Sequence, residues 1–197
     1  MNMKQKTVVV TGASQGIGAA VANLFLDRGY NVVGNSRKIT HRNELQSSKN
    51  LALVDGDIGL ASTAEMIVAT AVKRFGSVDA LVNNAGIFFS KPFTDYTPED
   101  FRALSSPMIT KGGINAISRN LAMEYAPQGI RLNVVAPGVV DTPLNKDAPK
   151  DFLRTTSPLG QIAGARDIAE AVLYLTEASQ VTGEVLHVDC GAHLGRW

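Results

Sequence analysis

The chain has 197 residues, 45% hydrophobic and 19% charged, which is the composition of a globular domain large enough to bury a core. Nineteen Lys and Arg against eighteen Asp and Glu leave a formal net charge of +1, which argues against nucleic acid or an anionic membrane as a partner. The single cysteine, Cys190, excludes an intrachain disulfide, and no signal-peptide pattern or apolar run of about 18 residues is present, so the predicted location is the cytoplasm.

Strand-like and helix-like segments alternate along the chain. Short apolar runs predict strands at 7–12, 30–37, 51–58, 78–86, 130–138 and 183–191. Amphipathic patterns predict helices at 17–29, 62–75, 97–106, 111–126 and 166–178; Ser62 with Glu65 forms a capping-box pattern, and Gly76 terminates that helix. Repeated β-α units with glycines at the strand ends predict one α/β domain over residues 1–197. It is a doubly wound Rossmann-type parallel sheet with helices on both faces.

A glycine-rich loop, TGASQGIG at 11–18, connects the first strand to the first helix. Gly12 permits a tight turn, Gly16 lets a backbone approach a pyrophosphate, and Gly18 allows the helix to pack closely on the strand. The N–H groups at the start of that helix then face the phosphates. This position makes the loop a predicted dinucleotide-binding site; the alternative is a tight turn without a ligand.

The end of the second strand distinguishes between the two nicotinamide cofactors. An NAD site usually has an acid about 20 residues beyond the glycines, which binds the ribose 2′-hydroxyl. Here the sequence is Asn-Ser-Arg-Lys at 35–38, with no acid. Ser36 and Arg37 therefore predict binding of a 2′-phosphate and a preference for NADP(H), with NAD(H) as the other possibility. A solvated basic turn remains the alternative interpretation.

The ordered motifs TGASQGIG (11–18), DI (57–58), NNAG (83–86), PG (137–138) and TG (182–183) resemble those of the classical short-chain dehydrogenase/reductase family, over nearly all of 6–191. The resemblance implies hydride transfer between a nicotinamide and a small alcohol or carbonyl substrate, in a homo-oligomer (dimer or tetramer). It implies cofactor contacts at Gly12, Ser14, Gln15, Gly16, Ile17, Gly18, Asp57, Ile58, Asn84, Ala85, Gly86, Pro137, Gly138, Val140 and Thr142. Lys111 matches the catalytic lysine that binds the nicotinamide ribose. Metal ligands are not expected.

The family's catalytic tyrosine is the main departure from the pattern. It lies four residues before the lysine, and that position is Pro107, which has no proton to give. The strand that should carry the catalytic serine is absent between Gly86 and Lys111, and so is the expected position of the supporting asparagine. Loss of this interior strand would separate its neighbours by roughly 9–10 Å and leave two rows of backbone groups unpaired.

Three explanations of this departure are open. Residues between Ser106 and Pro107 are missing from the sequence, or the protein has a true internal deletion that impairs catalysis, or the site is rebuilt from other residues. The alternative function is accordingly a nicotinamide-nucleotide-binding protein without turnover, acting as a sensor or an inactive oligomer partner. His187 and Cys190, both on the last predicted strand, are interpreted as structural residues.

Overall fold

The computed structural model describes residues 5–86, 93–95, 97 and 107–195. The strands are β1 (Thr7–Thr11), β2 (Asn31–Ser36), β3 (Leu51–Asp55), β4 (Ala80–Val82), β5 (Val134–Pro137), β6 (Val140–Asp141), β7 (Ala163–Gly164) and β8 (Val185–Val188). The helices are α1 (Gly16–Asp27), α2 (Ala61–Phe75), α3 (Pro107–Tyr125), α4 (Lys150–Arg154) and α5 (Ala165–Glu177). The helix predicted at 97–106 lies outside the described residues, apart from Thr97.

The boundaries correct the prediction at the start of α2 and add elements that were not predicted. The capping box is wrong: α2 begins at Ala61 after Leu60, no side chain caps its first turn, and Ser62 lies inside the helix. The stop at Gly76 is confirmed, because Gly76 adopts a left-handed conformation (φ 86°) and its N–H reaches the last carbonyls of α2. The short elements α4, β6 and β7 were not predicted from the sequence.

A four-stranded parallel sheet in the order β3-β2-β1-β4 forms the N-terminal half of the fold. Successive residues of β1 point to opposite faces. Val8 and Val10 belong to the core formed with α1 and α5, which includes Phe25, whereas Val9 packs into a second core with Ile67 of α2. This arrangement confirms the prediction of a doubly wound parallel sheet covered on both faces.

The sheet is interrupted after β4. Strands β5 and β8 pair with each other in a separate parallel sheet, as do β6 and β7, and no strand among the described residues joins β4 to β5. The register places Leu81 beside Val9, yet Leu81 is 57% exposed while Val9 is 2% exposed. The gap therefore lies where the sequence predicted a missing interior strand, and it exposes apolar surface that such a strand would cover.

Helix α5 holds the two halves together. Its Ala169 and Leu173 pack into the core on α1, while its Ile168 packs against Val140 near the second sheet. Arg131 secures the end of α5: its guanidinium donates to the carbonyl oxygens of Leu175 (2.8 Å), Thr176 (2.6 Å) and Val181 (3.0 Å). The C-terminal half thus keeps its place without direct strand pairing to β4. Across the described ranges, no helix is long and apolar enough to cross a membrane.

Candidate cofactor-binding site

The glycine loop is shaped by two close approaches that exclude any side chain. Gly12 has a φ of +65°, and a Cβ placed on it would lie 2.8 Å from the Cα of Ala85. A Cβ on Gly18 would lie 2.2 Å from the carbonyl oxygen of Gly12. Real Cβ atoms do not come this near to a backbone, so the tight turn at Gly12 and the close helix packing at Gly18 are confirmed.

Thr11 and Asn84 fasten this loop to the end of β4. The hydroxyl of Thr11 accepts the backbone N–H of Asn84 (3.1 Å) and of Ala85 (3.0 Å). In return, Nδ2 of Asn84 donates to the carbonyl oxygens of Thr11 (2.9 Å) and Gly12 (3.2 Å). Part of the NNAG motif is thus a structural clamp on the glycine loop. Sequence reasoning did not identify Thr11, although its position directly before Gly12 was the available signal.

The adenosine end of the predicted site lies where β1 and β2 end. The hydroxyl oxygens of Ser14 and Ser36 are 3.2 Å apart, so the glycine loop and the end of β2 are in direct contact. Arg37 follows Ser36 at the exposed surface. The structure therefore brings the Ser14 and Ser36 side chains together, with Arg37 next in the chain, while binding of a 2′-phosphate there stays a prediction.

The side chain of Asn35, at the end of β2, connects β2 to the end of β3. Its side chain is 1% exposed, and its Nδ2 donates to the carbonyl oxygens of Val54 (3.0 Å) and Gly56 (3.2 Å). Next to Gly56, the carboxylate of Asp57 accepts the N–H of Gly59 (2.9 Å), and Ile58 is 39% exposed. These bonds shape the loop that the family resemblance assigns to the adenine, while adenine contact itself stays a prediction.

The opposite end of the glycine loop faces the segment after β5. A Cβ built on Gly16 would lie 3.5 Å from Cβ of Thr142, so Gly16 and Thr142 lie close together. Gly138 donates its N–H to Val188 (3.2 Å), and a Cβ on it would lie 2.8 Å from Asp189. The glycine of the PG motif is therefore required for packing between the ends of β5 and β8.

Asp189 anchors the turn after β8. Its side chain is 8% exposed and accepts the backbone N–H groups of Gly191 (3.0 Å) and His193 (2.7 Å) and Nδ1 of His193 (2.9 Å). Burial would raise the pKa of Asp189, but the hydrogen bonds from His193 and Gly191 together outweigh it and lower the pKa. The ring of His187 stacks on that of His193 at 4.2 Å between centroids, in keeping with a structural interpretation of His187.

Two positions central to the predicted chemistry fall on α3. Pro107 is its first residue, a position where the missing N–H costs nothing, and Lys111 lies one turn further along. Ser106 lies outside the described residues, so the junction before Pro107 is not tested by geometry. No group of three or more His, Cys, Asp or Glu that could hold a metal occurs in residues 5–86, 93–95, 97 and 107–195.

A parallel sheet with a glycine loop between its first strand and first helix defines a Rossmann-type dinucleotide-binding protein. Two family models match the chain: short chain dehydrogenase over residues 6–110, and enoyl-(acyl carrier protein) reductase over 105–193. The chain belongs to the short-chain dehydrogenase/reductase family and is an NAD(P)-dependent oxidoreductase of that type. The resemblance noted from its motifs is thereby confirmed.

Relatives and solved structures agree with this assignment. Glucose 1-dehydrogenase of Gluconobacter oxydans is 32% identical over 245 residues, covering 96% of this chain and 92% of that protein. A 3alpha-hydroxysteroid dehydrogenase of Mediterraneibacter gnavus is 32% identical, with 98% of each chain covered. A 3-ketoacyl-(acyl-carrier-protein) reductase of Brucella melitensis, solved with NADH, matches with a TM-score of 0.87 and 26% identity, covering 95% of this chain and 98% of that one.

The matched lengths and ranges bear on the region around Ser106 and Pro107. The alignment with the glucose 1-dehydrogenase runs over 245 residues, whereas this chain has 197. The two family models meet at residues 105–110, which include the junction between Ser106 and Pro107. Among the described residues, no strand lies between β4, which ends at Val82, and β5, which begins at Val134.

Proposed function

We propose that the protein binds NADP(H) in preference to NAD(H) and transfers hydride between the nicotinamide and a small alcohol or carbonyl substrate. The observation that carries this proposal is the clamped glycine loop, which contacts Ser36 at one end and faces Thr142 at the other. Relatives solved with NADPH (an ElxO variant, 26% identical) and with NADH support a nicotinamide cofactor without deciding between the two.

In this proposal the two ends of the loop bind different parts of the cofactor. Ser14, Ser36 and Arg37 hold the 2′-phosphate, and the N–H groups at the start of α1 hold the pyrophosphate. Asp57 and Ile58 contact the adenine. The segments Asn84-Ala85-Gly86 and Pro137-Gly138, with Val140 and Thr142, line the ribose and the nicotinamide carboxamide. The amide nitrogen of Asn84 is already bonded to the loop, so its contribution to the cofactor is positioning.

Lys111 is the proposed catalytic residue, since the family resemblance assigns its ammonium group to the nicotinamide ribose and to the proton transfer. Pro107 provides no proton, and Lys111 alone does not complete the set of groups that hydride transfer requires. Pro107 is also the observation that favours the second candidate function, cofactor binding without turnover.

A screen of alcohols and carbonyl compounds with NADP⁺ and NADPH distinguishes the two functions. Turnover that Lys111→Ala abolishes supports the oxidoreductase, whereas tight cofactor binding without turnover supports the second candidate. The cofactor preference has its own test, Arg37→Asp. Losing one charge-assisted hydrogen bond costs about 1.5–3 kcal/mol, so we expect NADPH affinity to fall about 10- to 100-fold and NADH affinity to hold or rise. An unchanged ratio of the two affinities refutes the role of Arg37.

A homo-oligomer is proposed as well, because α3 presents Ile114 and Ile117 at 53% and 58% exposure and Met123 at 78%. Sedimentation velocity tests it: a dimer or tetramer is expected, and a monomer at micromolar concentration contradicts it.

A further inference from the structure

The segment between β2 and β3 lies along α1 and is fastened to it at several points. Asn23 of α1 donates its Nδ2 to the carbonyl of Glu44 (3.0 Å) and accepts the N–H of Gln46 at its Oδ1 (3.0 Å). The N–H of Glu44 donates to the carbonyl of Ser14 (3.0 Å), and Leu45 packs into the core below. The backbone of Glu44 is therefore fixed beside the glycine loop from both sides.

This arrangement points the Glu44 carboxylate at the start of α1. Its Oε2 accepts the backbone N–H of Gly16 at 3.2 Å. Gly16 is the first residue of α1, where the partial positive charge of the helix favours an anion. The chain's own carboxylate thus already occupies one of the N–H groups that the proposed function assigns to the cofactor's pyrophosphate.

We propose that Glu44 determines affinity and specificity in the cofactor site by competing with the phosphates of the cofactor. The inference rests on the proposed function. To bind, the pyrophosphate has to displace the carboxylate from Gly16, and the displaced side chain stays close because its backbone is anchored. The carbonyl oxygen of Ser14 accepts the N–H of Glu44, and its hydroxyl contacts that of Ser36. A 2′-phosphate bound between Ser14 and Ser36 therefore adds negative charge near the Glu44 carboxylate, which repels it.

The competition should affect the two cofactors unequally. NADP(H) carries a further phosphate of about two negative charges, so Glu44 disfavours it more than NAD(H). Glu44 therefore acts against the preference that Arg37 creates. Because Glu44 is exposed, its effect on affinity should resemble that of one surface charge pair, up to about fivefold, and should weaken in salt.

The test is the dissociation constants of NADPH, NADH and ADP for the wild-type protein, Glu44→Gln and Glu44→Ala, measured by calorimetry at low and high salt. Glu65→Gln is the matched control, since it removes the same charge from an exposed position on α2, across the sheet from α1. We expect both Glu44 variants to bind NADPH about fivefold more tightly, NADH by a smaller factor, and the control to equal the wild type.

Three other outcomes overturn the inference. If the Glu44 variants bind as the wild type does, the carboxylate does not compete. If they bind NADH more weakly, Glu44 instead accepts hydrogen bonds from the cofactor. If neither the wild type nor the variants bind any of the three ligands while thermal melting shows them folded, the proposed function fails, and the inference fails with it.

Discussion

Two threonines at opposite ends of β1 should respond in opposite directions to the same substitution. Thr7 is 0% exposed, and within the part of the chain that the structure describes its hydroxyl has no hydrogen-bond partner. Thr11 is 2% exposed, and its hydroxyl accepts two backbone N–H groups and lies 3.4 Å from the carbonyl of Val82. Valine has nearly the shape of threonine, so Thr→Val at either position removes mainly the hydroxyl.

The magnitudes follow from these partners. A buried polar group without a hydrogen bond costs about 1–3 kcal/mol, so Thr7→Val should raise the free energy of unfolding by about 1 kcal/mol. Thr11→Val leaves the N–H groups of Asn84 and Ala85 without their acceptor, and should lower the free energy of unfolding by about 2–3 kcal/mol. Because that hydroxyl also fixes the glycine loop, Thr11→Val should in addition weaken cofactor binding, which Thr7→Val leaves unchanged.

Urea denaturation followed by circular dichroism measures both effects, with the slope m compared to ensure that the unfolded state is unchanged. A destabilised Thr7→Val protein would show that its hydroxyl has a partner that stabilises the fold. A Thr11→Val protein as stable as the wild type would refute the clamp between β1 and the NNAG segment.

Three other predictions concern the C-terminal half. Cys190→Gly should raise the unfolding free energy by about 0.5–1 kcal/mol in urea, since Cys190 has a φ of 55°, and Cys190→Ala, which keeps the Cβ, should give no gain. Arg131→Lys should lower the melting temperature and cost about 2 kcal/mol, because an ammonium group cannot reach the three carbonyls that the guanidinium spans; an unchanged melting temperature contradicts this role. The lowered pKa of Asp189 means that its stabilisation is present above its ordinary pKa of 3.8 and is lost as the pH falls through the folded value. Asp189→Asn should therefore be less stable than the wild type at neutral pH, with a difference that shrinks below about pH 4 in unfolding curves; a difference independent of pH refutes it.

The sequence predicted the elements whose signal is local. The apolar run at 7–12 and the glycines of the loop were sufficient for β1 and the turn into α1, because each depends on its own residues. The capping box failed at Ser62 because the turn before it closes earlier: Leu60 donates its N–H to the carbonyl of Asp57, and the helix follows from Ala61. A pattern of residue types does not contain that preceding turn.

Features that depend on contacts between distant segments were not predictable in the same way. Glu44 lies in a stretch without helical or strand periodicity, and its carboxylate reaches Gly16 only because Asn23 and Leu45 fix the segment on α1. Thr11 was identifiable as a strand residue, but its role as the acceptor for the NNAG segment requires β4 to lie beside β1. The gap between β4 and β5 in the described part of the sheet, in contrast, was predictable, because it corresponds to a break in the order of motifs along the chain.

The predicted break bears on catalysis rather than on cofactor binding. The clamp, the contact between Ser14 and Ser36, and the approach of Gly16 to Thr142 all lie within segments that fold on either side of the interruption. The family resemblance predicts that the serine and asparagine positions fall at this interruption and that Pro107 takes the position of the tyrosine. Variants of the glycine loop therefore test binding under both candidate functions alike, and Lys111→Ala tests turnover. A protein that binds the cofactor normally but shows no turnover that Lys111→Ala removes would support the second candidate function.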